Sequence, residues 1–199
     1  MLIIMTTAIK LVLASSSPYR RELLKKLGLT FDTANPDIDE TPLSDEAPMQ
    51  TAMRLSLQKA AALAPKFPQH LIIGSDQVAM LEDKPLTKPC SRENTIAQLA
   101  AASGKTVHFY TGVCVYDSHN GQHRVDCDHC AVTFRVLSRE QIEHYVDLDE
   151  PFNCAGGFKA ESLGIALFER IEGDDPNALI GLPLIKLIRL LEAFGVKVI

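Results

Sequence analysis

The residues best suited to chemistry fall into a few short clusters. Ser15-Ser16-Ser17-Pro18-Tyr19-Arg20-Arg21 places three hydroxyls and two guanidinium groups around the first turn of an expected helix. A helix N-terminus exposes unpaired N–H groups and the positive end of the dipole, so it attracts anions. Arginine adds a planar fork that matches phosphate oxygens. The anion these groups suit is a phosphate. A well-capped helix with two solvated arginines accounts for the same residues. The segment is not a Walker loop, because it lacks the glycines and the terminal lysine.

Ile72-Ile73-Gly74-Ser75-Asp76-Gln77 puts a carboxylate at the expected C-terminal end of a buried strand, where open α/β sheets bind ligands. Asp76 could hold a divalent cation or accept a proton from water; a turn aspartate capping a local amide is the plainer reading. Lys59 and Lys88 could each meet a phosphate as a point charge, and each alone also reads as a solvated lysine. Asp37, Asp39 and Glu40 offer hard oxygen donors suited to magnesium or manganese, or simply a solvated acidic loop. In the glycine-rich Cys154–Glu161 stretch, Glu161 could accept hydrogen bonds from a base. Glu172, Asp174 and Asp175 read as surface loop residues. Cys127-Asp128-His129-Cys130 is a C-x-x-C without a second ligand pair at finger spacing, so reduced cysteines on a strand are expected. The six histidines show no metal-ligand spacing.

These side chains need elements to hold them. Ile9–Ala14 is a short apolar run that reads as a buried strand, and Pro18 after the serines opens a helix that Gly28 ends. Phe31–Ala34 reads as a second strand, 36–48 as a loop and Met49–Leu63 as a helix. His70–Gly74 reads as a strand broken by Ser75-Asp76-Gln77, and 83–89 as a turn-rich loop. Ser91 opens a helix to about Ala102. Thr106–Tyr116 and Arg124–Val136 form a hairpin across Asp117–Gly121, and a further helix starts at Ser138. Pro151–Asp175 is glycine-rich, and Leu182–Phe194 is an amphipathic helix.

The chain has 199 residues, enough for one sizeable core. Apolar residues make up 46% and charged residues 23%, which excludes a disordered chain. The formal net charge of −5 argues against a nucleic-acid-binding face. Five scattered cysteines do not make a secreted disulfide framework. The apolar Met1–Met5 run lacks signal-peptide features, and no run approaches a membrane span, so a cytoplasmic protein is expected. The whole reads as one α/β domain with mixed strands.

Taken in order, the clusters resemble the Maf-like nucleoside triphosphate pyrophosphatases. The resemblance rests on Ser15-Ser16-Ser17-Pro18-Tyr19-Arg20-Arg21-Glu22-Leu23-Leu24, Asp39-Glu40-Thr41, Lys59-Ala60, Gly74-Ser75-Asp76-Gln77 and Lys88-Pro89. Tyr110-Thr111-Gly112, Ala155-Gly156-Gly157-Phe158 and Gly181-Leu182-Pro183-Leu184 complete it. It spans about residues 11–191. It implies a single domain over 1–199, with a core at about 9–194, of two lobes around a long mixed β-sheet with a central cleft, akin to the inosine triphosphatase architecture. It also implies hydrolysis between the α- and β-phosphates of a nucleoside triphosphate, a divalent cation (magnesium, manganese or cobalt), a small-molecule nucleotide as partner, and a homodimer.

By that resemblance Asp76 is the general base, and Ser15, Arg20, Lys59 and Lys88 bind phosphate. Glu40 and Asp76 are the metal ligands. Members acting on dTTP and UTP usually carry arginine, threonine and glutamine where Tyr19, Gln77 and Glu161 stand here. The aromatic, amide and carboxylate resemble the branch acting on 7-methyl-GTP, whose cationic base favours an aromatic face and a carboxylate. Two departures stand out: Thr87 replaces the usual glycine before Lys-Pro, and Tyr19 stands where that branch often has tryptophan. The alternatives are a dTTP/UTP pyrophosphatase and a non-catalytic nucleotide-binding regulator of septum formation.

Overall fold

A computed structural model describes residues 9–199; the apolar 1–5 run lies outside the described residues. The apolar 9–14 run forms β1 (Lys10–Ala14), buried along almost its whole length. It is sandwiched between two parallel neighbours, β2 (Phe31–Ala34) and β3 (His70–Leu81). A parallel strand with both faces covered needs a continuous apolar sequence, and this one has it. Leu11 and Leu13 face α1 (Pro18–Lys25) and the C-terminal helix α5 (Leu184–Ala193). Val12 and Ala14 point the other way, towards α2 (Pro48–Ala62).

The chain crosses from β1 through α1 to β2 on one side. It then crosses through α2 to β3 on the other. That reversal leaves a crevice at the carboxyl end of β1, where Ser15 stands. From there β3 runs on, pairing antiparallel with β5 (Thr106–Asp117), which pairs with β6 (His123–Phe134). The far halves of these strands carry β7 (Phe168–Gly173) at the edge and a short β4 (Lys84–Leu86) beside β3. There α3 (Arg92–Ala102) and α4 (Arg139–Asp149) cover a separate core around Phe109, Phe134 and Phe158. The protein is thus one α/β domain on a mixed seven-stranded sheet with five helices, with one lobe at each end of the long strands. No helix among the described residues is long and apolar enough to cross a membrane.

Four local expectations change. β3 is not broken at Ser75-Asp76-Gln77 but runs straight through, with those residues paired to Val113, Gly112 and Thr111. Their polar groups favour turns in isolation, yet each finds a tertiary partner here. The 83–89 loop contains β4, folded back on Ala79–Leu81. The 151–175 stretch contains β7 as well as two short 3-10 turns at Ala155–Gly157 and Leu163–Leu167. Asp175 is no surface loop residue: it is buried and accepts from the N–H groups of Asn177 and Ile185.

Candidate active site

The crevice beyond β1 widens into a cavity of about 470 Å³ between the two lobes. The nine residues to which the family resemblance gives a role all line it: Ser15, Tyr19, Arg20, Glu40, Lys59, Asp76, Gln77, Lys88 and Glu161. Asp37 and Asp39 do not. Asp39 is spent on the N–H and hydroxyl of Thr41, at 2.9 and 2.6 Å.

The helix start divides its serines. Ser17 is the cap and accepts from Arg20 N–H, while Ser15 Oγ accepts from Ser17 N–H at 3.1 Å. Pro18 has no N–H to offer, and Tyr19 N–H makes no hydrogen bond among the described residues. Capping and an open anion site therefore coexist in one turn. Arg20 turns inwards and donates Nε to the Gly181 carbonyl at 2.8 Å. That single bond fixes the plane of the guanidinium, and its two Nη groups bond to no described residue. Burial pulls Arg20 below its ordinary pKa, and Asp76 and Glu40 offset part of that. Gly181 sits at φ 123° and a Cβ there would lie 3.4 Å from Arg20 Nε, so a glycine suits the contact.

The densest charge lies on α2 and β3. Lys59, 6% exposed, donates Nζ to Asp76 Oδ1 at 2.6 Å and meets Glu40 Oε1 at 2.8 Å. Asp76 is 7% exposed, and its Oδ2 bonds to no described residue. Burial works to raise the Glu40 carboxyl, but Lys59, helped by Lys88 and Arg20, holds it below its usual range. Lys88 is exposed on a loop that α3 pins: Gln98 Nε2 donates to Thr87 O, and Asn94 Nδ2 to Pro89 O, both at 3.0 Å.

The cavity wall also carries a different chemistry. Burial pushes the Tyr19 phenol up to about 12, with the Cys154 thiol and Glu161 beside it. Gln77 donates Nε2 towards the carbonyls of Ala178 and Leu179 at 3.0 and 3.1 Å and towards Thr111 Oγ1 at 3.0 Å. With its nitrogen so engaged, Gln77 turns its carbonyl end free. Glu161 rides on a turn tied to the end of α4, where Ser162 Oγ donates to Asp149 Oδ1 at 2.7 Å.

The site also rests on residues that the sequence left without a role of their own. Ser56 and Ser75 are wholly buried, and Ser75 Oγ reaches the carbonyls of Gly112 and Gly181 at 2.8 and 2.9 Å. The spacing of Ser56 and Lys59, three apart on one helical face, was the only clue to Ser56. Cys127 and Cys130, an odd number of residues apart on β6, point to opposite faces, and burial pushes their thiols up to about 12 and about 11.

A family model described as "Maf-like protein" matches residues 10–194. The chain belongs to the Maf-like family. A 7-methyl-GTP pyrophosphatase of Alcanivorax borkumensis is 54% identical over 187 residues, covering 94% of this chain and 95% of that one. Another 7-methyl-GTP pyrophosphatase, from Aliivibrio fischeri, is 51% identical over 190 residues, covering 96% and 98%. Among solved structures, the Staphylococcus aureus Ham1 protein aligns over 94% of this chain and 97% of its own, with a TM-score of 0.49 and 13% identity. That likeness is too remote to bear on activity. The Maf-like match spans both lobes and hence the whole cavity wall.

Proposed function

We propose that this Maf-like protein hydrolyses a nucleoside triphosphate between its α- and β-phosphates, with 7-methyl-GTP as the preferred substrate, releasing the monophosphate and pyrophosphate. The observation that carries the reading is the polarity of the cavity. Arg20, Lys59 and Lys88 gather cationic donors around Glu40, next to the helix start. Tyr19 with Glu161 beside it, and Gln77 on the 178–179 carbonyls, add a ring and acceptor groups to the same wall. A triphosphate fits the first and a cationic purine the second. The relatives named 7-methyl-GTP pyrophosphatase support the choice of base.

The donor set fits a divalent cation. Glu40 and Asp76 bring carboxylate oxygens to within 2.8 and 2.6 Å of one point, the Lys59 ammonium. Hard oxygens of this kind suit magnesium, manganese or cobalt. Among the described residues no three His, Cys, Asp or Glu side chains come together, so phosphate oxygens would complete the coordination. A bound cation would neutralise charge on the phosphates.

In this chain Asp76 Oδ2 is free to accept a proton from the attacking water. Lys59 holds the opposite oxygen still. Arg20 Nη groups and Lys88 take up negative charge as the phosphoanhydride bond opens.

The test is a panel of standard and modified nucleoside triphosphates with several divalent cations, assayed for product. Pyrophosphate with the monophosphate is expected, fastest from 7-methyl-GTP; single phosphate release would refute the reaction. Asp76→Asn should lower kcat by about 10²–10⁴-fold, the worth of a positioned base. Glu161→Gln should shift the turnover ratio of 7-methyl-GTP to dTTP towards dTTP; an unchanged ratio removes Glu161 from base selection.

A further inference from the structure

The chemical sense of Gln77 depends on which way its side chain is turned. An amide offers N–H groups from one end and an acceptor oxygen from the other. The two ends have nearly the same shape, so the polarity of the surroundings decides which of them faces the cavity. Gln77 Nε2 lies 3.0 and 3.1 Å from the carbonyls of Ala178 and Leu179, and 3.0 Å from Thr111 Oγ1. The carbonyls can only accept. A hydroxyl can do either.

Thr111 settles its own sense elsewhere. It stands directly opposite Gln77 on β5, is wholly buried, and donates to the Ala178 carbonyl at 2.9 Å. A hydroxyl has a single proton. With that proton committed, Thr111 can only accept from Gln77. The two N–H bonds of Gln77 therefore face three acceptors, and a flipped amide would set its oxygen against all of them. Gln77 Oε1 bonds to no described residue, and Gln77 lines the cavity. Ala178 and Leu179 belong to one turn, so they grip Nε2 from one element. Thr111 grips it from the sheet itself.

We propose that Thr111 is a positioning residue for base selection: by committing its proton to Ala178 it keeps the Gln77 carbonyl aimed into the cavity as an acceptor, which favours a base that offers an N–H there. This rests on the reading that Gln77 meets the base. Guanine presents N1–H and its 2-amino group side by side, whereas adenine presents a bare ring nitrogen at N1. A site built to hydrogen-bond a donor rejects the analogue that lacks it.

The test measures kcat/KM for GTP and for ATP, both unmethylated, so that the charge of the base plays no part. A ratio taken on one preparation does not depend on how much of the protein is folded. The parent should favour GTP. Thr111→Val keeps the shape and removes the hydroxyl, and the GTP-to-ATP ratio should fall about tenfold, close to the worth of one hydrogen bond. Thr111→Ser keeps the hydroxyl and should stay within about twofold of the parent ratio. Gln77→Leu should lower the ratio by itself, and adding Thr111→Val to it should then change the ratio by less than about twofold. A merely structural Thr111 predicts equal losses for the two nucleotides, or a Thr111→Val effect that persists without Gln77; either overturns the proposal. So does a serine variant as unselective as the valine variant. Exchange of the Gln77 side-chain amide protons, followed by NMR without nucleotide, should quicken in Thr111→Val, and unchanged protection counts against the proposal. If the parent releases no pyrophosphate from any nucleotide, the proposed function fails. If it does so but treats GTP and ATP alike, that function stands and this inference fails.

Discussion

One ammonium serves two carboxylates at Lys59, and this makes the site's acid limb depend on a residue that is not itself the base. Lys59 meets Glu40 and Asp76 at 2.8 and 2.6 Å, and it is the strongest influence holding Glu40 below its usual range against burial. A depressed carboxyl adds stability above its unfolded pKa and loses it as pH falls through its folded value. Lys59→Met removes the attraction, so Glu40 should protonate at higher pH. The acidic limb of the kcat/KM profile is expected to move towards neutrality, alongside a fall in kcat/KM itself. An unmoved limb would show that Glu40 ionisation is irrelevant to turnover. At this scale the sequence was informative: the nine residues whose order matched the family all line one cavity. What it hid was the wiring between them. Nothing in the order of residues says that Lys59 bridges Glu40 and Asp76, or that Arg20 rests on the Gly181 carbonyl.

Elements decide how closely these groups approach. The helices and the β5–β6 hairpin were legible because apolar periodicity and caps are local properties. The continuity of β3 was not, because Ser75, Asp76 and Gln77 are strand residues only by virtue of partners distant in the chain. The edge strand β7, exposed over most of its length, has no apolar alternation to announce it. α2 sits directly on the backbone of β3 and β5, where a Cβ on Gly74 would lie 2.1 Å from Ser56 O and one on Gly112 2.3 Å from Ala52 O, and this seat gives a test at this scale. Gly112→Ala would push a methyl to 2.3 Å from a backbone oxygen, so the helix must move. Stability should drop by about 1–3 kcal/mol, as for an overpacked core, and activity should drop with it because Lys59 rides on that helix. Gly28→Ala is the contrast. Gly28 has φ 67°, and a methyl group there would meet nothing within 4 Å, so the variant carries left-handed strain of about 1–2 kcal/mol and no clash. It should melt lower and keep its kcat. Equal activity losses in the two variants would count against the α2 seat.

Across the whole molecule, one buried charge works against the fold. Asp128 is 2% exposed on β6, and its Oδ1 has no partner among the described residues. Burial raises its carboxyl above the ordinary range, Asp175, Asp174 and Asp126 add to this, and Lys186 opposes it. For an acid whose folded pKa is raised, the unfolded chain loses its proton first. Stability then falls as pH rises from the ordinary aspartate value to the raised one, and the deficit persists above it. Asp128→Asn should therefore melt higher than the parent at neutral pH, with the gap closing as pH falls below the ordinary aspartate range. Thermal melts at several pH values would show this, and a gap independent of pH would refute it. The sequence suggested a two-lobed domain, and the long β3, β5 and β6 strands carry it. The burial of Asp128 beneath the Asp175 turn could only come from packing.

Side chains on and behind the cavity wall are held by main-chain carbonyls: Gly181 for Arg20 and Ser75, Ala178 and Leu179 for Gln77. A carbonyl oxygen is the same whatever side chain follows it. The identities at 178 and 179 can therefore drift, within the limits of burial, while the grip on Gln77 stays constant. Changes that bend the backbone of this turn without touching the cavity, such as loss of the Asp175 hydrogen bonds to Asn177 and Ile185, would instead loosen Arg20 and Gln77 from behind. The turn behaves as a template whose wording is free and whose spacing is fixed.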